Sequence, residues 1–436
     1  MHPEIRERQL RVPGDKSITH RALILAALAT GSSRIMRSLV GADTQSTAAA
    51  LRSLGVSLPA LTDDLTIEGA GLHGLRAAAG MIDCGNSGTT ARLLMGALAG
   101  CPFDSTLTGD ASLCSRPMRR VTVPLALMGA AFHELGAPDR LPIRMKGGAL
   151  RPLHYDSPHA SAQVKSAILL AGLTGSADVV VTEPFLSRDH TERMLGRLGV
   201  RLRRGLSADG RPEVALSPVA HLDAFEIEVP GDLSSAAFMI AHALLSASVP
   251  VRIRDVGLNP ARTGFLDVVQ RMGGRVSVEN ARESCGEPLG DIVVEQSTLQ
   301  AAHITAAEVP SLVDEIPVLA VLAALADGTT VIEGAGELRV KESDRITAMV
   351  DNLMAVGAVA EERPDGLVVH GSPVRRGGGP PLRGDVRVHG DHRIAMAFGV
   401  LGAVTGGGVR VDDPDAVAVS FPGFWDMLAG SAEHLR

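Results

Sequence analysis

A six-fold internal repeat is the feature that most constrains how this chain of 436 residues can fold. In each repeat, small turn residues precede an apolar helical run, which ends at a small or polar break and is usually followed by a β-branched stretch. A second helix and short strands follow within most repeats. This pattern predicts a mixed α/β (α+β) fold. The six segments are 13–31, 85–100, 161–175, 230–253, 309–332 and 390–411.

The first helix of each repeat is apolar nearly all round, which predicts burial. Its polar residues collect at the N-terminus, where backbone N–H groups are unpaired and the helix dipole is positive. Several such ends directed into one cleft would form an anion site. Six repeats predict two lobes of three, the first spanning 13–230 and the second 1–12 plus 231–436, with the N-terminal strand returning to the second lobe.

Composition excludes several classes of protein. The net charge is −7 and only 11 residues are aromatic (nine Phe, one Tyr and one Trp), which argues against nucleic-acid binding. The longest apolar runs are too short to span a bilayer, and the charged N-terminus lacks the apolar centre of a signal peptide. The four cysteines form no C-x-x-C pair. We therefore expect a cytoplasmic protein with no metal and no membrane or nucleic-acid partner.

The motif PGDKSITHR begins the first repeat helix. Lys16 and Ser17 stand at its start, and Arg21 follows one turn after Ser17 on the same face. An ammonium, a hydroxyl and a guanidinium group at a helix N-terminus can hold a phosphate, although a capped helix with solvated charges has the same sequence pattern. The motif is not a P-loop, because G-x-x-x-x-G-K-[ST] is absent.

Two further motifs offer hydrogen-bond donors at helix starts. In DCGNSGTTAR, residues 86–89 predict a tight turn before a helix, and Arg92 lies one turn after Thr89; an ordinary Asn cap is the alternative. In SAQVKS, Ser161, Gln163 and Lys165 supply hydroxyl, amide and ammonium groups. LTGDASLCSRPMRR contains Arg116, and SRDHTER contains Arg188. A single Arg in the first of these positions is more often a surface charge.

The carboxylates lie in the last two repeats. SLVDEIP places Asp314 and Glu315 at a helix start, where one such residue is usually a cap but becomes a candidate base beside a phosphate site. RVKESDRI places Lys341 and Arg345 on one helix face by their spacing of four, with Glu342 between them, although such a run of charges is usually a solvated surface. GDHR places Asp391, His392 and Arg393 at the last helix start. Three of the chain's four lysines, Lys16, Lys165 and Lys341, fall in these motifs, and Lys146 does not.

Together these motifs resemble the 5-enolpyruvylshikimate-3-phosphate synthase (3-phosphoshikimate 1-carboxyvinyltransferase) family, from about residue 10 to about 425. The matching segments are PGDKSITHR, GNSGTTARLL, VKESDRI and GDHRIAM. The resemblance implies two lobes of three βαβαββ units with the site in the cleft between them. It implies transfer of the enolpyruvyl group of phosphoenolpyruvate to the 5-hydroxyl of shikimate-3-phosphate, through a tetrahedral intermediate and with release of phosphate. No cofactor or metal is implied, and we expect a monomer.

The resemblance also assigns roles to residues. Positions matching the shikimate-3-phosphate contacts are Ser17, Arg21, Ser161, Ala162, Gln163, Arg188, Asp314 and Lys341. Positions matching the phosphoenolpyruvate contacts are Lys16, Gly88, Arg116, Glu342, Arg345 and Arg393. Residues near the site are Asp43, Asn86, Thr89, Arg92, Asp391 and His392. Asp314 would accept the 5-hydroxyl proton, and either Lys16 or Glu342 would protonate the methylene carbon.

The chain departs from the family pattern at two positions, Val419 and Ala162. Val419 stands where many members carry a Lys before [ST]-[FY]-P, so one phosphoenolpyruvate contact is missing or supplied elsewhere. Ala162 replaces a second Ser, and Arg188 is typical of one branch of the family. Gly88 is the small residue of glyphosate-sensitive members, which predicts sensitivity.

Two other functions are compatible with parts of the sequence. UDP-N-acetylglucosamine 1-carboxyvinyltransferase shares the fold and the second substrate, but usually places a reactive Cys five residues before an Arg-Pro; Cys114 lies only two residues before Arg116. A non-catalytic anion-binding scaffold would need the cations but not the carboxylates Asp314 and Glu342.

Overall fold

The computed structural model describes residues 7–372 and 382–433, with the backbone alone for 431–433. It divides into two compact units. The first unit comprises Gly14–Val229 and Glu283–Glu287, and the second comprises the remaining described residues. The short segment contacts the rest of the first unit through Glu287, whose Oε1 lies 2.8 Å from Nδ1 of His190.

The strand β1 (Arg8–Leu10) begins the described chain, and eleven strands of the first unit follow it. They are β2 (Thr30–Met36), β3 (Asp64–Ala70), β4 (Ile82–Asp83), β5 (Asp104–Thr108), β6 (Ala131–Glu134), β7 (Ile143–Lys146), β8 (Leu153–Asp156), β9 (Val179–Thr182), β10 (Arg201–Leu206), β11 (Pro212–Ser217) and β12 (Glu226–Glu228). The helices of this unit are α1 (Lys16–Leu28), α2 (Ala42–Ser53), α3 (Gly88–Ala99), α4 (Ala111–Cys114), α5 (Arg119–Met128), α6 (Ala162–Thr174) and α7 (His190–Arg197).

The later part of the chain alternates strands and helices in the same way. Its strands are β13 (Val251–Gly257), β14 (Arg275–Ser284), β15 (Glu287–Glu295), β16 (His303–Ile304), β17 (Gly328–Ile332), β18 (Val359–Arg363), β19 (Gly366–Gly371), β20 (Gly384–Val386) and β21 (Val409–Val411). Its α-helices are α8 (Leu233–Ser246), α9 (Gly264–Arg271), α10 (Ile316–Ala324), α11 (Arg345–Ala355), α12 (His392–Val404) and α13 (Phe424–Glu433). Its 3₁₀ helices are Val309–Ser311, Val313–Glu315, Gly336–Val340 and Pro414–Val419.

One sheet plan recurs among the described strands. The chain order β8, α6, β9, α7, β10, β11 is a βαβαββ unit, in which β8 and β9 are parallel and β11 pairs antiparallel with both β9 and β10. The sheets of β4–β7 and β16–β19 have the same strand order. Two repeats take their first strand from elsewhere in the chain, since β12 pairs with β2 and β1 pairs with β13, both in parallel. The predicted mixed α/β class is confirmed.

The repeat helices form the core of each unit, as the sequence predicts. All nine residues of α10 are buried, and α1, α3 and α6 each bury all but one or two residues at the N-terminal end. A Cβ at Gly96 of α3 would lie 2.3 Å from the carbonyl oxygen of Ala167 in α6, so only glycine allows this close helix contact. No helix within the described ranges combines the length and apolar character needed to cross a membrane.

Candidate active site

Hydrogen-bonded caps begin the helices that carry the candidate residues. The carboxylate of Asp15 accepts a hydrogen bond from the backbone N–H of Ile18 at 2.9 Å, and Ser87 caps α3 through the N–H of Thr90 at 3.1 Å. In the second unit, Asp391 caps α12. These caps fix where each helix begins and so place the side chains of its first turns. The candidate residues in those turns are Lys16, Ser17, Arg21, Gly88, Thr89, Arg92, His392 and Arg393.

Lys16 and Asp43 form an ion pair between the starts of α1 and α2. Nζ of Lys16 lies 3.0 Å from Oδ2 of Asp43, and the side chain of Lys16 is 15% exposed. The carbonyl oxygen of Asp43 also accepts a hydrogen bond of 3.4 Å from Thr90 in α3. Asp43 therefore joins three helix starts and leaves the ammonium group of Lys16 partly accessible.

Arg92 and Gln163 join α3 to α6. Nη1 of Arg92 donates to Oε1 of Gln163 at 2.6 Å, and Nε2 of Gln163 donates to Oγ1 of Thr89 at 2.9 Å. Arg92 also donates to the carbonyl oxygen of Pro117 at 3.2 Å. Two motifs that are far apart in the sequence, GNSGTTAR and SAQVKS, are thus in direct contact.

Gly88 lies against two guanidinium groups. A Cβ at this position would be 3.1 Å from Nη1 of Arg92 and 3.5 Å from Nη1 of Arg116. Arg116 is buried rather than a surface charge, and it donates to Oδ1 of Asn86 and to Oγ of Ser112, the latter at 3.1 Å. The absence of a side chain at Gly88 leaves space beside two positive charges.

Arg21 is buried, and its guanidinium group is hydrogen-bonded. Its guanidinium group donates to the carbonyl oxygen of Ser17 at 2.9 Å, to Ser166 at 2.9 Å and to Thr191 at 2.7 Å. Burial lowers the pKa of Arg21 to about 10; the charge of Arg188 adds to this, and nearby carboxylates oppose it. Because even this pKa is above neutrality, Arg21 stays a cation.

At the start of α6, Ser161 is the cap and Ala162 the first helical residue, and both are partly exposed. We name thirteen candidate residues of this unit the first-unit cluster. They are Lys16, Ser17, Arg21, Asp43, Asn86, Gly88, Thr89, Arg92, Arg116, Ser161, Ala162, Gln163 and Arg188.

Asp314 stands among three cations in the second unit. Its Oδ1 lies 3.8 Å from Nζ of Lys341 and 3.3 Å from Nη1 of Arg345, and its Oδ2 lies 3.9 Å from Nη2 of Arg393. Arg393 also donates to the carbonyl oxygen of Asp314 at 3.0 Å. Residues from three motifs therefore converge on one carboxylate, which lies in the 3₁₀ helix Val313–Glu315.

Arg345 is the centre of this group. Its side chain is 1% exposed and donates to Asp391 at 2.8 Å, to Glu342 at 2.6 Å and to Asp314 at 3.3 Å. Burial alone would lower the pKa of Arg345, but the three carboxylates raise it above its ordinary value. Ser343 donates to Asp391 at 3.0 Å. The second-unit cluster is Asp314, Lys341, Glu342, Arg345, Asp391, His392 and Arg393.

The expectation that Lys341 and Arg345 share a helix face is wrong. Lys341 has φ −84° and ψ −150° and lies between the 3₁₀ helix Gly336–Val340 and α11, which begins only at Arg345. Asp344 caps α11 and so prevents an earlier start. The two side chains meet at Asp314 instead. Burial and the charge of Arg345 lower the pKa of Lys341, against the opposing effect of Asp314.

Two other positions raised by the sequence are Val419 and Cys114. Val419 ends the 3₁₀ helix Pro414–Val419 and is partly buried. Cys114 is the last residue of α4, with its Sγ 3.3 Å from the carbonyl oxygen of Gly109. The four cysteines, all in the described part of the chain, are free thiols. Within residues 7–372 and 382–433, no group of three His, Cys, Asp or Glu residues could hold a metal ion.

Sequence reasoning missed two buried ionic groups next to candidate residues. Lys165, grouped above with the donors at the start of α6, instead points to Glu183 and Glu192 at 2.8 Å each. The sequence did contain an indication of this group, because Lys165 is one of only four lysines among the 42 Lys and Arg residues of the chain. In the second unit, Arg262 pairs with Asp232 at 3.2 Å.

Arg262 also donates to Ser234 at 2.5 Å, and Ser234 in turn donates to Glu315, beside Asp314. The segment PGDLSS, which contains Asp232 and Ser234 and is the fourth-repeat counterpart of PGDKSI, could have indicated this group.

Comparisons with known proteins agree with this fold. The family model described as EPSP synthase (3-phosphoshikimate 1-carboxyvinyltransferase) matches residues 5–428. The chain is 46% identical to the 3-phosphoshikimate 1-carboxyvinyltransferase of Desulfitobacterium hafniense strain DCB-2, covering 98% of this chain and 95% of that protein. The identity to the Bacillus subtilis strain 168 protein of the same name is 42%, covering 96% of each.

Among solved structures, EPSP synthase from Acinetobacter baumannii matches with a TM-score of 0.84 and 42% identity, covering 98% of this chain and 95% of that one. The enolpyruvyl transferase NikO from Streptomyces tendae matches with a TM-score of 0.73 over 98% of this chain and 94% of that one; at 18% identity it shows the fold alone. The fold is thus that of the enolpyruvyl transferases. The chain belongs to the EPSP synthase (3-phosphoshikimate 1-carboxyvinyltransferase) family. It is an enzyme, a transferase of the shikimate pathway, and the sugar-nucleotide alternative is not supported.

Proposed function

We propose that this enzyme transfers the carboxyvinyl group of phosphoenolpyruvate to the 5-hydroxyl of shikimate-3-phosphate and releases inorganic phosphate. The observation that carries the proposal is the second-unit cluster, where Asp314 lies within 4 Å of three cations. Two phosphates and two carboxylates need fixed cations, and an attacking hydroxyl needs a base. Both requirements meet at Asp314.

We assign the first substrate to residues of both clusters. Arg21 and Arg188 supply charge, and Ser17, Ser161, Ala162 and Gln163 supply hydroxyl, backbone or amide groups at helix starts, where anions are favoured. Asp314 and Lys341 complete this set. The residues assigned to phosphoenolpyruvate are Lys16, Gly88, Arg116, Glu342, Arg345 and Arg393.

The proposed reaction has two proton transfers before elimination. Asp314 accepts the proton of the 5-hydroxyl group as the hydroxyl oxygen attacks C2 of phosphoenolpyruvate. An acid gives a proton to the methylene carbon of phosphoenolpyruvate. Either Lys16, paired with Asp43 at 3.0 Å, or Glu342, paired with Arg345 at 2.6 Å, is that acid. The tetrahedral intermediate then loses a proton from the new methyl group and expels phosphate, which restores the double bond.

Phosphate release from phosphoenolpyruvate tests the proposal directly. We expect release that depends on shikimate-3-phosphate and that does not occur with UDP-N-acetylglucosamine. The proposal fails if shikimate-3-phosphate elicits no phosphate release, or if the sugar nucleotide is the better acceptor. Omitting metal and adding a chelator should leave the rate unchanged, because the proposed chemistry needs no cofactor.

The monomeric state and the cytoplasmic location stay predictions. Light scattering during size-exclusion chromatography measures the first, and a mass near 45.4 kDa is expected for a monomer.

A further inference from the structure

Lys165 is a buried cation for which the proposed reaction has no use. It lies one turn inside α6, and its side chain is 3% exposed. Its Nζ lies 2.8 Å from Oε2 of Glu183, 2.8 Å from Oε1 of Glu192 and 3.3 Å from the carbonyl oxygen of Ser187. Three acceptors match the three hydrogens of an ammonium group.

Glu183 connects this ammonium group to the start of α6. Its Oε1 accepts a hydrogen bond of 3.1 Å from the backbone N–H of Ser161. Both of its oxygens also lie within 2.8 Å of the hydroxyl of Ser187, the residue before Arg188. One carboxylate therefore holds two segments that carry proposed substrate contacts.

Glu192 connects the same ammonium group to Arg21. Its neighbour in α7, Thr191, accepts a hydrogen bond of 2.7 Å from Nε of Arg21. Two carboxylates share the single positive charge of Lys165, so the group keeps one surplus negative charge. That charge attracts the guanidinium group of Arg21, and Glu192 accordingly raises the pKa of Arg21 against the effect of burial.

Stability alone does not account for this group. Taking charges out of water costs free energy for each ion, and well-packed apolar residues often replace a buried ion pair without loss of stability. What an ionic group does provide is fixed direction, because each hydrogen bond requires a particular geometry. An arginine with its planar fork would not fit three converging acceptors in the same way.

We propose that Lys165 positions the shikimate-3-phosphate site through Glu183 and Glu192. Lys165 is a positioning residue: it holds the two carboxylates. Glu183 in turn holds Ser161 and the Ser187–Arg188 segment, and the charge of Glu192 attracts Arg21. This inference rests on the proposed function, since it concerns the binding of that substrate.

Steady-state kinetics of Lys165→Met test the inference. We expect the KM for shikimate-3-phosphate to rise at least tenfold, while kcat and the KM for phosphoenolpyruvate change less than threefold. Lys146→Met is the matched control, because Lys146 is the exposed lysine at the end of β7, outside the motifs. Its kinetic constants should equal those of the wild type.

A second variant covers the case in which Lys165→Met does not fold. Lys165→Met/Glu192→Gln removes one positive and one negative charge, so the net charge of the group is unchanged, and Glu183 keeps its bond to Ser161. Loss of the bond from Lys165 to Ser187 should still raise the dissociation constant for shikimate-3-phosphate severalfold, as measured by calorimetry.

The outcomes separate the two proposals. If the wild type does not release phosphate, the proposed function fails. If the wild type is active and the soluble variants keep its KM and dissociation constant for shikimate-3-phosphate, the positioning role is wrong and the function stands. A fall in kcat alone, with both KM values unchanged, means a smaller active fraction and also overturns the positioning role.

Discussion

The two clusters of candidate residues differ in their balance of charge. The first-unit cluster contains five cations and one carboxylate: Lys16, Arg21, Arg92, Arg116 and Arg188, with Asp43. The second-unit cluster contains three of each: Lys341, Arg345 and Arg393, with Asp314, Glu342 and Asp391. A surplus of cations is suited to holding anions, whereas paired carboxylates and cations are suited to moving protons. The difference therefore indicates a division of work between substrate binding and chemistry.

Asp314→Asn tests the chemical half of this division and should have the largest effect. Loss of a general base costs about 10²–10⁴-fold, so we expect kcat for phosphate release to fall about 10³-fold. The dissociation constant for shikimate-3-phosphate should change only severalfold. Asp43→Asn, the matched carboxylate of the first-unit cluster, should raise the KM for phosphoenolpyruvate more than it lowers kcat. Equal losses of kcat in the two variants would contradict the division.

Arg116→Met tests the binding half. Removing one partner of a buried, hydrogen-bonded charge costs about 2–5 kcal/mol, so we expect the KM for phosphoenolpyruvate to rise about 10²-fold. Arg119→Met is the control, because Arg119 lies on the surface and pairs with Glu134 at 2.9 Å. It should leave the kinetics unchanged. A fall in kcat without a rise in KM would place Arg116 in the chemistry.

Burial, together with the surplus positive charge, also predicts acid sensitivity at His20 in α1. Burial, then the charges of Lys16 and Arg21, hold the pKa of His20 well below its ordinary value. Below about pH 6.5 the unfolded chain binds a proton at this residue and the folded chain does not. The free energy of unfolding therefore decreases as pH decreases, by up to about 1.4 kcal/mol per pH unit.

Urea unfolding of His20→Asn at pH 6.5 and pH 5.0 measures this contribution. The loss of unfolding free energy between the two pH values should be about 1.6 kcal/mol smaller in the variant than in the wild type. The exposed His221 gives the control, since His221→Asn should keep the wild-type loss. An equal loss in His20→Asn would mean that other groups cause the acid sensitivity.

The sequence predicts the repeat, its buried helices and the helix starts, because each depends on local patterns such as apolar periodicity and capping residues. The sequence does not predict which of these helix N-termini are in contact with one another. Arg92 and Gln163 are 71 residues apart, and their hydrogen bond depends on how α3 packs against α6. The placement of Lys341 was also unpredictable from its spacing, because the cap at Asp344 begins α11 after that residue.

Lys341→Arg sharpens the comparison through pH. Burial lowers the pKa of Lys341 from 10.5, so its ammonium group is lost at a lower pH than that of an ordinary lysine. Binding that needs this charge weakens as pH rises through the lowered pKa. A guanidinium group stays charged, so the alkaline limb of kcat/KM for shikimate-3-phosphate should move upward in the variant. For each pH unit by which the limb moves, kcat/KM of the variant at high pH should be about tenfold greater than with an unmoved limb, when each is expressed relative to the variant's own kcat/KM at neutral pH. An unmoved limb would assign it to another group.

Gly88→Ala probes the space beside the first-unit cations and should have the smallest effect. The new Cβ would lie 3.1 Å from Nη1 of Arg92, so this guanidinium group would have to move away by a few tenths of an ångström. Overpacking of about 1 kcal/mol would raise the KM for phosphoenolpyruvate roughly fivefold.

We expect the wild type to be inhibited by glyphosate and the Gly88→Ala variant to be less sensitive. Gly80→Ala is the control, since its Cβ would meet no atom within 4 Å. If Gly88→Ala leaves both the KM and the inhibition unchanged, the space beside Arg92 and Arg116 is not where phosphoenolpyruvate binds, and the surplus of cations in the first unit would need another explanation.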